Sequence, residues 1–247
     1  MKALVFAAGH ALRLRPLTDS MPKALVKVAG VPMLERVICK LRDSGFDDIV
    51  VNAHHFPEQI EAFIAEHDFG VPVTVCREGG AEALETGGGI RHAGALLESG
   101  EGHFLVHNVD ILSDLDISAL SSCVRPDALA TLALEDKDTD RYLLFDDEMR
   151  LCGWTNVRTG EVRSPYPDLD PGTCHMHSFC GIHIISDAVF PLMEGWPDRF
   201  GIIDFYLKAC RDHVIRGVLF KDLNLIDIGT PETLGVAERL MSGRDCL

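Results

Sequence analysis

The chemistry-bearing residues begin at the seventh position. The stretch Phe6-Ala-Ala-Gly-His-Ala-Leu-Arg-Leu-Arg-Pro-Leu-Thr-Asp-Ser-Met-Pro-Lys23 combines a small-residue start with two well-spaced cations. Small side chains at Ala7, Ala8, Gly9 and Ala11 let a ligand come close to the backbone, whose N–H groups can then point at phosphate oxygens. Arg13 and Lys23 add charge, and Pro16 and Pro22 restrict the loop, limiting the entropy lost when it closes on an anion. The spacing is neither G-x-x-x-x-G-K-[ST] nor G-x-G-x-x-G, so the two best-known phosphate loops are excluded. A second cluster, Cys174-His-Met-His-Ser-Phe-Cys180, offers four soft-metal ligands. Strand alternation sends 174, 176, 178 and 180 to one face and 175 and 177 to the other. One zinc ion cannot easily collect all four, and the segment reads instead as a solvent-facing His pair.

Charge supports an anion site at the N-terminus. The 247 residues carry 23 Lys and Arg against 38 Asp and Glu, a net charge of −15, the wrong sign for neutralising a nucleic-acid backbone or an anionic membrane. Residues 1–42 reverse the sign: eight basic groups stand against two acidic ones, a local +6 that leaves −21 for the remainder. With 47% hydrophobic and 25% charged residues, the composition is that of an ordinary globular protein with a full core. No apolar run approaches the roughly 18 residues of a membrane span, and the opening apolar stretch is too short for a signal sequence. The eight cysteines, 39, 76, 123, 152, 174, 180, 210 and 246, are scattered without C-x-x-C. They read as reduced thiols of a cytoplasmic protein.

The elements that must hold these residues alternate. Residues 3–8 form a short apolar run ending in Gly9, the pattern of a strand buried on both faces. Pro32 opens a helix in which Met33, Leu34, Val37, Ile38 and Leu41 share a face and Gly45 closes it. Strand 49–51, helix 57–66 with Ile60, Phe63 and Ile64 inward, and strand 71–75 continue a right-handed βαβ series. Gly87-Gly88-Gly89 leads into a helix to about residue 98, and strand 104–106 runs into Asn108 and Asp110. Segments 131–134, 142–145, 150–157 and 177–185 read as antiparallel strands, interrupted by a Pro/Asp-rich loop at 164–172. Helices over 202–211 and 231–241 flank strands 214–220 and 225–228. The expected architecture is α/β, a Rossmann-like, mainly parallel mixed sheet flanked by helices with a small antiparallel extension. It forms one domain over 1–247, with a nucleotide-binding portion at 1–127 and a completing portion at 128–247.

The first stretch resembles the signature of sugar-1-phosphate nucleotidyltransferases, L-A-A-G-x-G-T-R-x-x-P-x-T-x-x-x-P-K. Ala7, Ala8, Gly9, Arg13, Pro16, Thr18, Pro22 and Lys23 match in register. Further similarities follow in order: Leu84-Glu-Thr-Gly-Gly-Gly-Ile90, His107-Asn-Val-Asp110, Phe179-Cys-Gly-Ile182 and Asp227-Ile-Gly-Thr-Pro-Glu232. Within that family, the Leu-Glu-Thr-Gly-Gly-Gly run most resembles short bacterial enzymes that activate N-acetylmuramate 1-phosphate with UTP, or mannose-1-phosphate guanylyltransferases. The resemblance implies attack of a sugar 1-phosphate on the α-phosphorus of an NTP (UTP or GTP), with Mg²⁺ as cofactor, giving NDP-sugar and pyrophosphate. A phosphate monoester has its second pKa near ~6, so the nucleophile is largely dianionic at neutral pH and needs no general base.

The same resemblance implies roles. Arg13 holds the β- and γ-phosphates, and Lys23 the α-phosphate and sugar phosphate. Asp110 and Asp227 hold Mg²⁺, an ion that keeps waters and uses substrate phosphates for its remaining ligands. Taken singly, each Asp reads more readily as a helix cap, although Thr230 before Pro231 is the better cap in its segment; within the ordered set of matches the metal role is preferred. Ala7, Ala8, Gly9, His10, Ala11, Thr86, Gly87, Gly88 and Asn108 line the nucleotide, and Glu78 contacts the base edge without choosing between guanine and uracil. Gly181 leaves room for the hexose, and Asn156 and Asp204 are candidate partners of its hydroxyls. The protein is expected as a monomer or small homo-oligomer, with no nucleic-acid or membrane partner.

Two departures stand out: the family's second loop glycine is Ala11 here and its usual Thr is Leu12. If position 11 requires a positive φ, Ala costs roughly 1 kcal/mol or more. That observation supports a rival reading, a noncatalytic nucleotide-sugar-binding regulatory homologue, against which the retained Arg13, Lys23, Asp110 and Asp227 argue. A third option is a cytidylyltransferase with a phosphocholine-type acceptor. It would need aromatic groups for cation–π contact, and only Trp154 and Phe179 are placed to help.

Overall fold

The computed structural model describes residues 1–98 and 102–243; Cys246 lies outside the described residues. The strands are β1 (Lys2–Phe6), β2 (Lys27–Val28), β3 (Val31–Pro32), β4 (Asp48–Ala53), β5 (Val73–Arg77), β6 (His103–Asn108), β7 (Ile111–Ser113), β8 (Ala128–Glu135), β9 (Arg141–Phe145), β10 (Leu151–Asn156), β11 (Glu161–Arg163), β12 (His175–Ser186), β13 (Val214–Leu219) and β14 (Leu225–Asp227). The helices are α1 (Met33–Asp43), α2 (Pro57–Ala65), α3 (Glu85–His92), α4 (Gly94–Leu97), α5 (Ile117–Ser122), α6 (Val189–Leu192), α7 (Ile202–Ala209) and α8 (Pro231–Ser242). None of them is long and apolar enough to cross a membrane.

The main sheet runs β11-β10-β9-β12-β6-β1-β4-β5, with β8 paired to β12 and β13. Pairs β1–β4, β1–β6, β4–β5 and β8–β13 are parallel. The twelve-residue β12 joins the two regions: residues 175–177 pair with β9, while 182–186 pair with β6. Its pairing with β8 carries a register shift between Phe179 and His183.

Alternation along the central strands sorts the core into two layers. Ala3, Val5, Ile49, Val51 and Leu105 face α1 and α2, whereas Leu4, Val50, Phe104 and Val106 face the α3, α4 and α7 side. All five expected residues of α1 are buried, and Lys40 and Arg42 in its last turn complement the helix dipole. A third, smaller cluster of Val26, Val28, Met33, Leu112, Ile228 and Ala237 lies under α8.

Among the elements without a counterpart in the sequence reading are the β2–β3 hairpin, β7, α5, β11 and α6, whereas β14 falls within the expected strand 225–228. The β2–β3 hairpin turns through Ala29 and Gly30, both at positive φ (49° and 79°), a geometry normally advertised by Asn-Gly. The two-stranded β7–β14 unit and α5, capped by the Asp116 side chain, are short. The helix expected from the glycine run begins before it, at Glu85, and ends at His92.

Candidate active site

Strands β1 and β6 lie side by side and parallel, so the loops after Phe6 and Asn108 leave the same edge of the sheet, where open α/β sheets bind ligands. Ala7 and Ala8 are 3% and 1% exposed, and the Ala7 amide donates to the Asn52 carbonyl at 3.1 Å. The chain then surfaces at Gly9 and His10 and turns at Ala11, whose φ of 48° and ψ of 45° place it in the left-handed region. The Ala11 carbonyl accepts from the Leu14 amide at 3.0 Å and from Thr18 Oγ1 at 3.0 Å, which fixes the turn. The positive φ anticipated for position 11 is therefore present on an alanine.

Lys23 is 8% exposed. Its Nζ donates to Asp110 Oδ2 and lies 3.6 Å from Asp227 Oδ1. Arg13 Nη2 stands 4.0 Å from Asp227 Oδ2. Asp110 and Asp227, distant in sequence, meet because β14 pairs with β7 in a register that sets Asp227 opposite Ile111. The Ile228 amide also donates to the Asp110 carbonyl at 3.0 Å. Neither carboxylate serves as a helix cap. Thr230 caps α8 through a reciprocal box with Thr233, followed by Pro231.

The donor set fits a hard divalent cation. Asp227 Oδ1 is buried without a hydrogen-bond partner, a costly condition for a carboxylate oxygen that an added ligand would relieve. Among the described residues no three His, Cys, Asp or Glu side chains converge as a complete metal cage. Two carboxylates with the remaining positions open match the habit of Mg²⁺.

A cavity of about 260 Å³ opens beside this cluster, lined by Asn108, Asp110, Glu135, Lys137, Phe179, Gly181 and Asp227 among others. Gly181 has a φ of 73°, and a Cβ there would come within 2.6 Å of Asn108 Nδ2, so both its conformation and its neighbour demand glycine. A second cavity of about 300 Å³, lined by Arg13, Lys137, Asp227, Gly229 and Thr230, shares Lys137, Leu225 and Asp227 with the first. Larger cavities of about 510 and 520 Å³ lie elsewhere, one near Tyr166 and Cys210 and one near Lys40 and Met241, apart from the Arg13–Lys23 cluster.

On the other side of the loop, His10 packs against His54 and His55 with ring centroids 5.3 and 4.9 Å apart. Partial burial, with His55, His54 and Arg15 adding repulsion, lowers the His10 pKa. His107 is wholly buried behind Asp110; burial pushes it down to about 4, and its Nδ1 bonds the Asn108 carbonyl at 2.8 Å.

Several expected residues are engaged elsewhere. Glu78 is buried, with Oε1 accepting from Asn52 Nδ2 and Oε2 from the Leu84 amide at 2.8 Å. Thr86 Oγ1 accepts from the Ile202 amide, and the amides of Gly87 and Gly88 both donate to the Phe200 carbonyl at 2.9 and 3.1 Å. A Cβ at either glycine would meet Phe200 or the Asp198 carbonyl at 2.3 Å. These glycines answer the close packing of α3 on residues 198–202. Asn156 Oδ1 accepts from the amides of Arg158 and Thr159, tying the β10–β11 turn, and Asp204 is paired with Arg163. Neither lines the Asn108–Gly181 cavity.

In the 174–180 segment His175 and Met176 are exposed. His177 is bonded to Asp136 at 2.7 Å with its side chain 12% exposed, and burial raises the Cys180 thiol. Glu135 and Lys137, which sequence reasoning missed, carried one signal: Glu135 ends the wholly buried β8 and Lys137 lies two residues beyond it, at a strand end that can face a site.

A model of the nucleotidyl transferase family matches residues 2–142. Over 242 residues the chain is 31% identical to N-acetylmuramate alpha-1-phosphate uridylyltransferase of Caulobacter vibrioides, covering 96% of this chain and 95% of that protein. It is 37% identical over 122 residues to mannose-1-phosphate guanyltransferase of Gibberella zeae, covering 49% of this chain and 33% of that protein. Among solved structures, a putative glucose-1-phosphate thymidylyltransferase from Bacillus anthracis superposes with a TM-score of 0.77 at 20% identity, covering 100% of this chain and 96% of the other. HddC from Yersinia pseudotuberculosis, complexed with GMP-PN, gives 0.74 at 22% identity, covering 97% and 99%. At these identities the structures speak to the fold alone.

Proposed function

The chain belongs to the nucleotidyl transferase family, and on that premise we propose that it transfers a uridylyl group from UTP to a sugar 1-phosphate of the N-acetylmuramate type, with Mg²⁺. The observation that carries the reading is the meeting of Arg13, Lys23, Asp110 and Asp227 at the carboxyl edge of the sheet. Similarity to the Caulobacter uridylyltransferase along nearly the full length favours UTP over GTP, because the guanyltransferase similarity spans only half the chain.

An oxygen of the sugar phosphate attacks the α-phosphorus, the bond to the β-phosphate oxygen breaks, and pyrophosphate leaves with the electron pair. No proton need move, so the groups required are positioning and charge-compensating ones. The backbone at Ala7, Ala8, Gly9, His10 and Ala11 lines the nucleotide. Arg13, whose side chain is 70% exposed, holds the β- and γ-phosphates. Lys23 is oriented by two carboxylates and cannot swing away from the reacting phosphorus. Gly181 and Asn108 shape the acceptor cavity. Mg²⁺, held by Asp110 and Asp227 together with substrate oxygens, would supply charge neutralisation across the reacting phosphates.

The test is pyrophosphate release with UTP, GTP, CTP, dTTP and ATP, each against a panel of sugar 1-phosphates, with and without Mg²⁺. UTP with an N-acetylated sugar 1-phosphate should give the highest kcat/KM. A preference for GTP with mannose 1-phosphate would replace the finer assignment, and absence of release from every pair would favour a binding protein without turnover.

A further inference from the structure

The acceptor cavity has an unbalanced charge. Three carboxylates line it, Asp110, Glu135 and Asp227, and Lys137 is the cation among its lining residues. A sugar 1-phosphate entering it carries close to two negative charges. Lys23 offers little net attraction there, because its buried ammonium already lies between Asp110 and Asp227. Arg13 opens onto the neighbouring cavity.

We propose that Lys137 is a second cation, beside Lys23, that binds the phosphate of the sugar 1-phosphate, a role nothing in the family signature assigns to it. The proposal rests on the nucleotidyl-transfer reading above. Lys137 lies on the loop between β8 and β9, and it borders both cavities. It therefore stands where the acceptor phosphate must pass to reach the α-phosphorus near Arg13 and Lys23. Its Nζ is 3.9 Å from Glu135 Oε1, with 48% of the lysine side chain exposed and only 10% of the glutamate. The buried partner attracts the ammonium from behind at a distance too long for a hydrogen bond, so the three ammonium donors stay open to a ligand. Glu135 holds its own pKa up through burial, an effect that Lys137 opposes, so the pair is electrostatically linked without being locked.

The test uses the full chain and two substitutions, Lys137→Met and Lys137→Arg. Loss of one charge-assisted bond corresponds to about a tenfold to hundredfold change. Lys137→Met is expected to raise KM for the sugar 1-phosphate by that factor while KM for the nucleotide stays within about twofold. Lys137→Arg, which keeps the charge, should recover most of the loss. A merely structural role for Lys137 would show as a lowered Tm and changes in both KM values, and it would overturn the proposal. So would an unchanged acceptor KM in Lys137→Met.

A binding arm separates this proposal from the reaction itself. Inorganic phosphate should raise the Tm of the wild-type chain more than that of Lys137→Met. If the wild type shows no turnover, the functional reading falls. The phosphate shift then still decides Lys137: a difference between the two chains supports its role as an anion ligand, and equal shifts refute it.

Discussion

Asp227→Asn separates function from folding, and the geometry sets the size of each effect. The substitution keeps the side-chain shape and removes one charge. In the free protein that charge has two ionic neighbours, Lys23 Nζ at 3.6 Å and Arg13 Nη2 at 4.0 Å. Coulomb's law at the dielectric of water gives about 1 kcal/mol for each. The carboxylate is 43% exposed, so solvent screening reduces the measurable contribution to below about 1 kcal/mol. Its Oδ1 accepts no hydrogen bond, so no bonded donor is stranded by the change. For a chain of this size 1 kcal/mol moves Tm by about 2–4 °C, and a shift no larger than that is expected. Catalysis should respond far more strongly, because removing one group aimed at developing charge typically costs about 10²–10³ in kcat. The assay is pyrophosphate release at saturating Mg²⁺ and substrates, alongside thermal unfolding of the same preparation. Retention of more than about a third of wild-type kcat, where a loss of 10² or more is expected, would remove Asp227 from the reaction. A Tm loss above about 8 °C, beyond anything two screened ion pairs supply, would make it a folding residue.

Other substitutions probe the loop, the acceptor cavity and the buried histidines. Ala11→Val places a β-branched side chain at a φ of 48°, a conformation that costs about 1–2 kcal/mol or more. The nucleotide KM should rise about tenfold and Tm should fall by about 2–8 °C; an unaltered KM would show that the loop rearranges on binding. Gly181→Ala must absorb both a φ of 73° and a 2.6 Å approach to Asn108, so Tm should fall by about 4–8 °C and the acceptor KM should increase. Unchanged values for both would contradict the packing described. His183, buried and bonded to Tyr206 at 2.8 Å, has its pKa pushed down by burial to about 3. Its unfolded counterpart titrates near ~6.5, so the stability it contributes is complete above that pH and is lost as pH falls toward 3. Urea midpoints measured from pH 7 to 4 should fall less steeply in His183→Gln than in the wild type; parallel curves would count against this account.

The parts of the fold that could be read from sequence are those where one periodicity dominates. Helix α1 shows its buried stripe in five spaced apolar residues, and β1, β4 and β6 are apolar runs whose ends coincide with the site. The β2–β3 hairpin escaped because Ala29 occupies a conformation that the sequence signals only through glycine or asparagine. In the site, Arg13, Lys23, Asp110 and Asp227 could be chosen because each belongs to an ordered run of matching residues. Gly87 and Gly88 are expected to line the nucleotide, and the structure gives them a packing reason as well: a Cβ at either would meet Phe200 or the Asp198 carbonyl. A sequence cannot say which neighbour makes a glycine necessary. Asn156 and Asp204 have side chains of the right chemistry, and local turns and ion pairs claim them. Lys137 sits in an acidic loop with Asp136, Asp138 and Asp140, a composition that reads as solvated surface until β8 and β12 bring it to the cavity.

The N-terminal basic island illustrates how a correct inference can overcount its evidence. Of its eight cations, Lys2 bonds the Leu96 carbonyl and Arg36 the Val28 carbonyl. Lys40, half-buried and lowered to about 8 by desolvation, bonds the Ser113 carbonyl, and Arg42 bonds the Phe69 carbonyl. Arg15 is paired with Asp19. Lys27 is exposed on β2. None of these six is paired with Asp110 or Asp227, whose ionic partners are Arg13 and Lys23, so the charge at the acid pair is set by two cations rather than by a sum of +6. Lys23 in turn is flanked by two acids, which makes the cleft close to neutral at its centre, with exposed Arg13 and Lys137 at its margins. Such an arrangement lets an acidic protein admit two anionic reactants, because each meets its own cation at the rim before both approach the acid pair. Net charge therefore bears on solubility and on excluded partners, while the acceptance of a phosphate is decided by which few cations the fold leaves uncommitted.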